Sequence, residues 1–116
     1  MPDRCLVVDD IRRVGDVSYF ADPPKVTHVE TAEEGIAALT EGEFDWLWLD
    51  HDLGRRNGEI ITIMPLVDWL CERAFNGDRV PITQIVVHSA NPVGARTMMQ
   101  VLERQGYKVG RSILPS

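Results

Sequence analysis

Asp50, His51 and Asp52 follow directly on the apolar run Trp46-Leu47-Trp48-Leu49, in the stretch WLWLDHDLG. Charged side chains are costly to bury without partners, so three ionisable groups at the end of a hydrophobic strand mark a solvated site. Two other apolar runs end the same way. CLVV (5–8) leads into Asp9 and Asp10, and ITQIVVHSA (82–90) carries His88 and Ser89, with Asn91 just beyond. Two chemistries suit these residue types. Carboxylates at neighbouring strand ends make a hard-oxygen site for Mg²⁺ or another divalent ion, which keeps its waters and recruits a phosphate. Alternatively, His51 and His88 serve as general acid and base on a phosphodiester while nearby arginines stabilise the developing charge. Zinc suits the chain less well, because neither an HxxxH nor a Cys/His spacing is present.

Each of these residues also has a purely structural explanation. Asp9 or Asp10 can cap a turn, Asn91 a helix, and a lone histidine such as His88 is commonly a satisfied buried side chain. Asp50 and Asp52 can be a solvated strand end. Their shared location at three strand ends favours a functional site over several coincidences.

The elements that must position them alternate along the chain. CLVV predicts a first strand, and 11–24, interrupted by Gly15 and Pro23-Pro24, a loop or broken helical turn. KVTHVE (25–30) predicts a second strand ending in Glu30. Thr31 then caps a helix that carries Glu33 and Glu34 in its first turn and stops at Gly42. DWLWL (45–49) is a third strand and GRRNGE (54–59) a turn-rich loop. Helical spacing from Ile60 to about Phe75 predicts a second helix, which Pro65 kinks or delays. Residues 82–90 form a fourth strand, and Asn91-Pro92 opens a helix running to Gly106. YKVGRSIL is a weaker fifth strand. Alternating strands and helices imply an α/β domain, residues 1–116, with a five-stranded parallel sheet. Its ligands belong beyond the carboxyl ends of the strands. Trp46 and Trp48 share one face of the third strand and read as core in preference to a contact surface.

Composition narrows the function classes. A net charge of −6 argues against a general DNA or polyanion binder, although ten arginines against two lysines suit phosphate recognition as well as codon bias. No apolar run has the length of a membrane span and no leader pattern opens the chain, so the expectation is a cytoplasmic protein without membrane contact. Cys5 and Cys71 lack CxxC spacing and fall on apolar patterns, predicting buried free thiols.

With these residues placed, the chain resembles a two-component receiver domain in VVDD at strand one, TAEEGIAAL, and FDWLWLD leading to Asp50. That resemblance implies a flavodoxin-like fold, with Asp9, Asp10 and Asp50 holding Mg²⁺, Asp50 as phosphoacceptor and Ser89 as the hydroxyl after strand four. It departs from receivers where they keep a lysine at the end of strand five: Lys108 lies at that strand's start and Arg111 near its end. The first helix is eroded and a last helix is missing. DDIRR (9–13), LDHDLG (49–54) and HSANPVGARTM (88–98) are more similar to the divergent receiver-like family that processes cyclic phosphates. In DDIRR, relatives usually have an acidic residue and a proline around the arginine, which leaves Arg12 as the matched arginine.

The resemblance implies a phosphoesterase-like enzyme acting on cyclic phosphate ends of RNA or nucleotide derivatives. Asp9, Asp10 and Asp50 would bind a divalent ion, and His51 and His88 would exchange protons. Arg12 and Arg96 would hold phosphate oxygens, with Ser89 and Asn91 donating hydrogen bonds. Asp52 would orient a histidine or complete the acidic cluster. Two alternatives stay open: a phosphoacceptor signalling module using Asp50, and a non-catalytic nucleotide- or protein-binding accessory protein of bacterial or phage origin, for which a protein partner is possible.

Overall fold

Side-chain alternation decides which way each strand faces, and here it points the small aliphatics inward. The computed structural model describes residues 4–9, 25–89 and 92–111. In chain order the elements are β1 (Arg4–Val8), β2 (Lys25–Val29), α1 (Ala32–Glu41), β3 (Trp46–Leu49), β4 (Asp52–Arg56), β5 (Glu59–Thr62), α2 (Met64–Phe75), β6 (Gln84–Val87), α3 (Pro92–Arg104) and β7 (Val109–Arg111). β2-β1-β3-β6-β7, in that order, form one parallel sheet. This is the strand order of flavodoxin-like folds, and it sets β1, β3 and β6, whose ends carry the candidate residues, side by side. The segment read as an eroded first helix, and everything after Arg111, lie outside the described residues.

Leu6, Val8, Leu47, Leu49, Ile85 and Val87 are completely buried and join Leu66, Val67 and Leu70 of α2 and Ala95, Met98 and Leu102 of α3 in one core. α1 adds Ala32 and Leu39, and its Gly35 lies so close that an added Cβ would stand 3.2 Å from both Val8 and Leu66. Trp46 and Trp48 alternate to the opposite side from Leu47 and Leu49 and are only half-buried. The indoles therefore lie outside the core cluster of the described residues, where their hydrophobicity suggested they belong; Leu47 and Leu49 are in it. Among the described residues no helix is long and apolar enough to cross a membrane.

Helix α1 starts on a capping box. The Thr31 hydroxyl accepts from the Glu34 amide at 3.1 Å, and the Glu34 carboxylate accepts from the Thr31 hydroxyl at 3.1 Å and the Glu30 amide at 3.3 Å. Helix α2 starts later than its apolar spacing suggested. Pro65 lies in its first turn, where a missing N–H costs nothing, so the proline delays the helix without kinking it. The residues expected to be loop and early helix form a hairpin instead. β4 pairs antiparallel with β5 through Asn57 and Gly58, both at positive φ, which is the geometry of a tight two-residue turn. Ile60 fits the helical stripe of Ile63, Met64 and Val67 as well as it fits a strand, because so short a segment cannot distinguish the two periods.

Tyr107 ties the C-terminal end of α3 back to α2. Its buried hydroxyl donates to the Leu70 carbonyl at 2.8 Å and accepts from the Val80 amide at 3.3 Å. Tyr107→Phe removes both bonds and leaves the Val80 amide without the hydroxyl, and urea unfolding should show a loss of about 1–3 kcal/mol. An unchanged midpoint would mean that water replaces the hydroxyl.

Cys5 is 1% exposed, and burial pushes its thiol up to about 11 from an ordinary 9.0. The native protein should leave Cys5 unreactive toward a disulfide reagent near pH 8 until denaturant is added. Because the folded value lies above the unfolded one, the stabilising contribution is intact below pH 9 and is lost as pH rises toward 11. The slope is about 1.4 kcal/mol per pH unit. Rapid labelling of Cys5 in the folded protein would contradict this.

Candidate functional site

The parallel ladder runs one residue beyond each central strand. The Asp9 amide donates to the Val29 carbonyl at 3.1 Å, the Asp50 amide to Val8 at 3.0 Å and the His88 amide to Leu49 at 2.8 Å. Val8 pairs with Val29 and Leu49, and Leu49 with Val87. One step further, Glu30, Asp9, Asp50 and His88 therefore stand abreast, on neighbouring strands about 4.8 Å apart. The row belongs to the face of Val7 and Trp48. His88 lies against Trp48, with ring centroids 5.4 Å apart and planes inclined at 47°. Asp9 is 6% exposed, and its carbonyl oxygen bonds His28 Nε2 at 2.8 Å.

His51 goes elsewhere. The chain bends after Asp50, whose carboxylate accepts from the Asp52 amide at 3.3 Å, while the His51 carbonyl accepts from the Ile63 amide at 2.8 Å. His51 Nδ1 and Asp52 Oδ1 are 2.6 Å apart. An ionised carboxylate only accepts, so Nδ1 carries the proton of that bond and Nε2 is the nitrogen left to meet a substrate. The imidazole side chain is 14% exposed and packs on the first turn of α3 at Gly94. A Cβ added at Gly94 would stand 2.7 Å from His51 Cδ2 and 2.8 Å from both Cγ and Nε2. The structure thus brings Asp9, Asp50 and His88 together in one row, and sets His51, bonded to Asp52, against α3, on the face of the sheet where α1, α2 and α3 pack.

Ser89 is buried, and its carbonyl accepts from Arg111 Nη2 at 3.3 Å. Arg96 is exposed on α3 and lines a cleft of about 290 Å³ with Arg111. Asp10, Arg12 and Asn91 lie outside the described residues. Among the described residues no three His, Cys, Asp or Glu side chains are grouped so as to hold a metal. The expected set includes Asp10, and Asp9 with Asp50 supplies two adjacent carboxylates, a donor pair that fits a hard divalent ion. A larger cleft of about 450 Å³ lies at the opposite edge, by Asp45 and Thr83. There the Asp45 carboxylate accepts from the Arg4 amide at 3.0 Å, and amino ends of strands are not where such folds bind ligands.

Gly94 is the residue that motif reading passed over. A glycine within a helix costs about 1 kcal/mol against alanine, so one placed two residues after Pro92 signals a close neighbour.

The family model described as the cyclic-phosphate processing Receiver domain matches residues 4–104. No curated protein sequence matches the chain. Solved structures similar to it include a CheY-like response regulator receiver domain protein from Methanospirillum hungatei, at 15% identity and TM-score 0.61, covering 99% of this chain and 85% of that one. A response regulator from Thermotoga maritima in complex with Mg²⁺ and BeF aligns at 18% identity and TM-score 0.59, over 96% of this chain and 88% of that one. A response regulator from Burkholderia pseudomallei, with a phosphorylated aspartic acid, calcium ion and citrate, aligns at 18% identity and TM-score 0.62, over 98% of this chain and 61% of that one.

Proposed function

Because the chain belongs to the cyclic-phosphate processing Receiver domain family, we propose that it hydrolyses a cyclic phosphate at the end of an RNA or on a nucleotide. The observation that carries this reading is the row Asp9-Asp50-His88, set by ladder bonds of 3.1, 3.0 and 2.8 Å at the carboxyl ends of β1, β3 and β6. The His51–Asp52 pair stands beyond β3. An in-line displacement at phosphorus has its entering and leaving oxygens on opposite sides. His88, one residue beyond β6 on the Trp48 face, and His51, held by Asp52, are the two imidazoles assigned to those two oxygens.

In the proposed reaction one imidazole takes a proton from the attacking water as its oxygen bonds to phosphorus. The ring P–O bond breaks, and the departing ribose oxygen takes a proton from the other imidazolium, leaving a phosphomonoester and a hydroxyl. Asp52 holds His51 in the tautomer with Nδ1–H, so that Nε2 is the working atom. Arg12 and Arg96 hold phosphate oxygens, and Ser89 and Asn91 orient the group. A divalent ion, when bound by Asp9 and Asp50 with Asp10, would neutralise phosphate charge. Incubation with 2′,3′-cyclic nucleotides and Mg²⁺ or Mn²⁺ tests the reading. Turnover should appear and fall by about 100-fold or more in Asp50→Asn. Absence of turnover with both metals sinks it.

The receiver neighbours carrying phosphorylated aspartate or Mg²⁺ with BeF support a second reading, in which Asp50 accepts a phosphoryl group. Beryllofluoride with Mg²⁺ should then shift the backbone amides around Asp50. Unmoved amides would leave only the hydrolytic reading.

A further inference from the structure

The cleft beside Arg111 bears on which cyclic phosphates the site receives. Pro92, Arg96, Met99, Gln100 and Glu103 form a stripe along one side of α3, at helical spacing, and Arg111 of β7 forms the facing wall of the same cleft of about 290 Å³. The stripe is about 16 Å long at 1.5 Å per residue, longer than one nucleoside. The buried residues Gly94, Ala95, Met98 and Leu102 occupy the other side of the helix; of the stripe only Met99 packs against the core, and Pro92, Arg96, Gln100 and Glu103 are exposed. Two guanidinium groups against one carboxylate make this a locally positive cleft in a chain of net charge −6.

Its position relative to the site is fixed by two observations. Arg111 pairs in register with Val87, the residue before His88. Its Nη2 donates to the carbonyl of Ser89, the residue after His88, at 3.3 Å. The Arg111 wall of the cleft therefore stands at the carboxyl end of β6, bonded to the residue that follows His88. Its chemistry is that of a nucleotide site. Arginine forks suit phosphate oxygens, Met99 and Pro92 offer apolar surface to a ribose or base, and Gln100 and Glu103 present hydrogen-bonding groups for base edges.

We propose that this cleft is a subsite for the nucleotide preceding the cyclic end, with Arg111 on its phosphate, so that the substrate is an oligonucleotide in preference to a mononucleotide. The proposal rests on the cyclic-phosphate reading above, but its first test needs no turnover. A dinucleotide with a 3′-phosphate should bind at least about tenfold more tightly than the 3′-mononucleotide, as expected for one added charge-assisted phosphate contact. It should also shift the backbone amides of residues 96–103 and of Arg111. Equal affinities, or shifts confined to the strand ends, overturn the subsite.

The second test is the ratio of kcat/KM for a dinucleotide ending in a 2′,3′-cyclic phosphate to that for the cyclic mononucleotide. Arg111→Ala should bring this ratio toward one, and Arg111→Lys should restore part of it. A ratio already near one in the wild type, or unmoved by Arg111→Ala, overturns the assignment of Arg111. If neither substrate turns over while the dinucleotide 3′-phosphate binds as stated, the hydrolytic reading fails and the subsite stands.

Discussion

Gly94→Ala lowers turnover of a 2′,3′-cyclic nucleotide by on the order of 100-fold, the cost of moving a catalytic group by about an ångström. The added methyl would lie 2.7–2.8 Å from three atoms of the His51 ring, closer than such atoms approach. His51 yields because the alternative is to move the first turn of α3, whose next residue, Ala95, is fully buried. When the ring swings, its 2.6 Å bond to Asp52 is lost and Nε2 leaves its position. The backbone effect runs the other way, since alanine stabilises a helix interior by about 1 kcal/mol over glycine. The variant should therefore unfold at nearly the wild-type denaturant concentration while losing activity. A second comparison separates positioning from general damage. In a His51→Ala background the same substitution should have no further effect on turnover, because the residue through which it acts is gone. Additive losses in the two variants, or full activity in Gly94→Ala, would contradict this account.

Leu70→Ala costs stability of about 2–5 kcal/mol without impairing the folded molecules' turnover. Leu70 is completely buried within the core on α2, and its carbonyl also accepts the Tyr107 hydroxyl. A domain of this size has on the order of 5–15 kcal/mol in total, so the loss is a large part of it. α2 carries none of the proposed site residues, which follow β1, β3 and β6 or lie on α3. Urea unfolding should show an earlier midpoint, with kcat per folded molecule equal to wild type. A loss near zero would mean that the core closes over the removed methyls, and a fallen kcat would tie α2 to the site.

The parallel sheet was legible because β1, β3 and β6 are short apolar runs, and because α1, which leads into β3, opens on a side-chain cap. Thr31, Glu34 and Gly42 delimit α1 by chemistry that is local in sequence. The hairpin was not legible. Asn57-Gly58 marks its turn, but Arg55 and Arg56 interrupt the apolar alternation that announces a strand, and Ile60, Ile63 and Met64 mimic a helical stripe. Trp46 and Trp48 misled for another reason: alternation assigns the indoles to one face and Leu47 and Leu49 to the other, without saying on which face α1, α2 and α3 pack.

For the site, residue types at strand ends identified Asp9, Asp50 and His88 as neighbours once strand order was set. They could not place His51, because alternation ends where the chain bends, between Asp50 and Asp52. Its environment depends on a contact with Gly94, 43 residues later, which is visible only when α3 is packed.

The most direct measurement follows a 2′,3′-cyclic nucleotide by phosphorus NMR in the presence of the full chain and Mg²⁺. The cyclic phosphate resonance should convert to that of a monoester, and the conversion should be lost in His51→Ala and in His88→Ala, with both variants folded. Absence of conversion by the wild-type protein, or conversion that persists in both variants, would contradict the account.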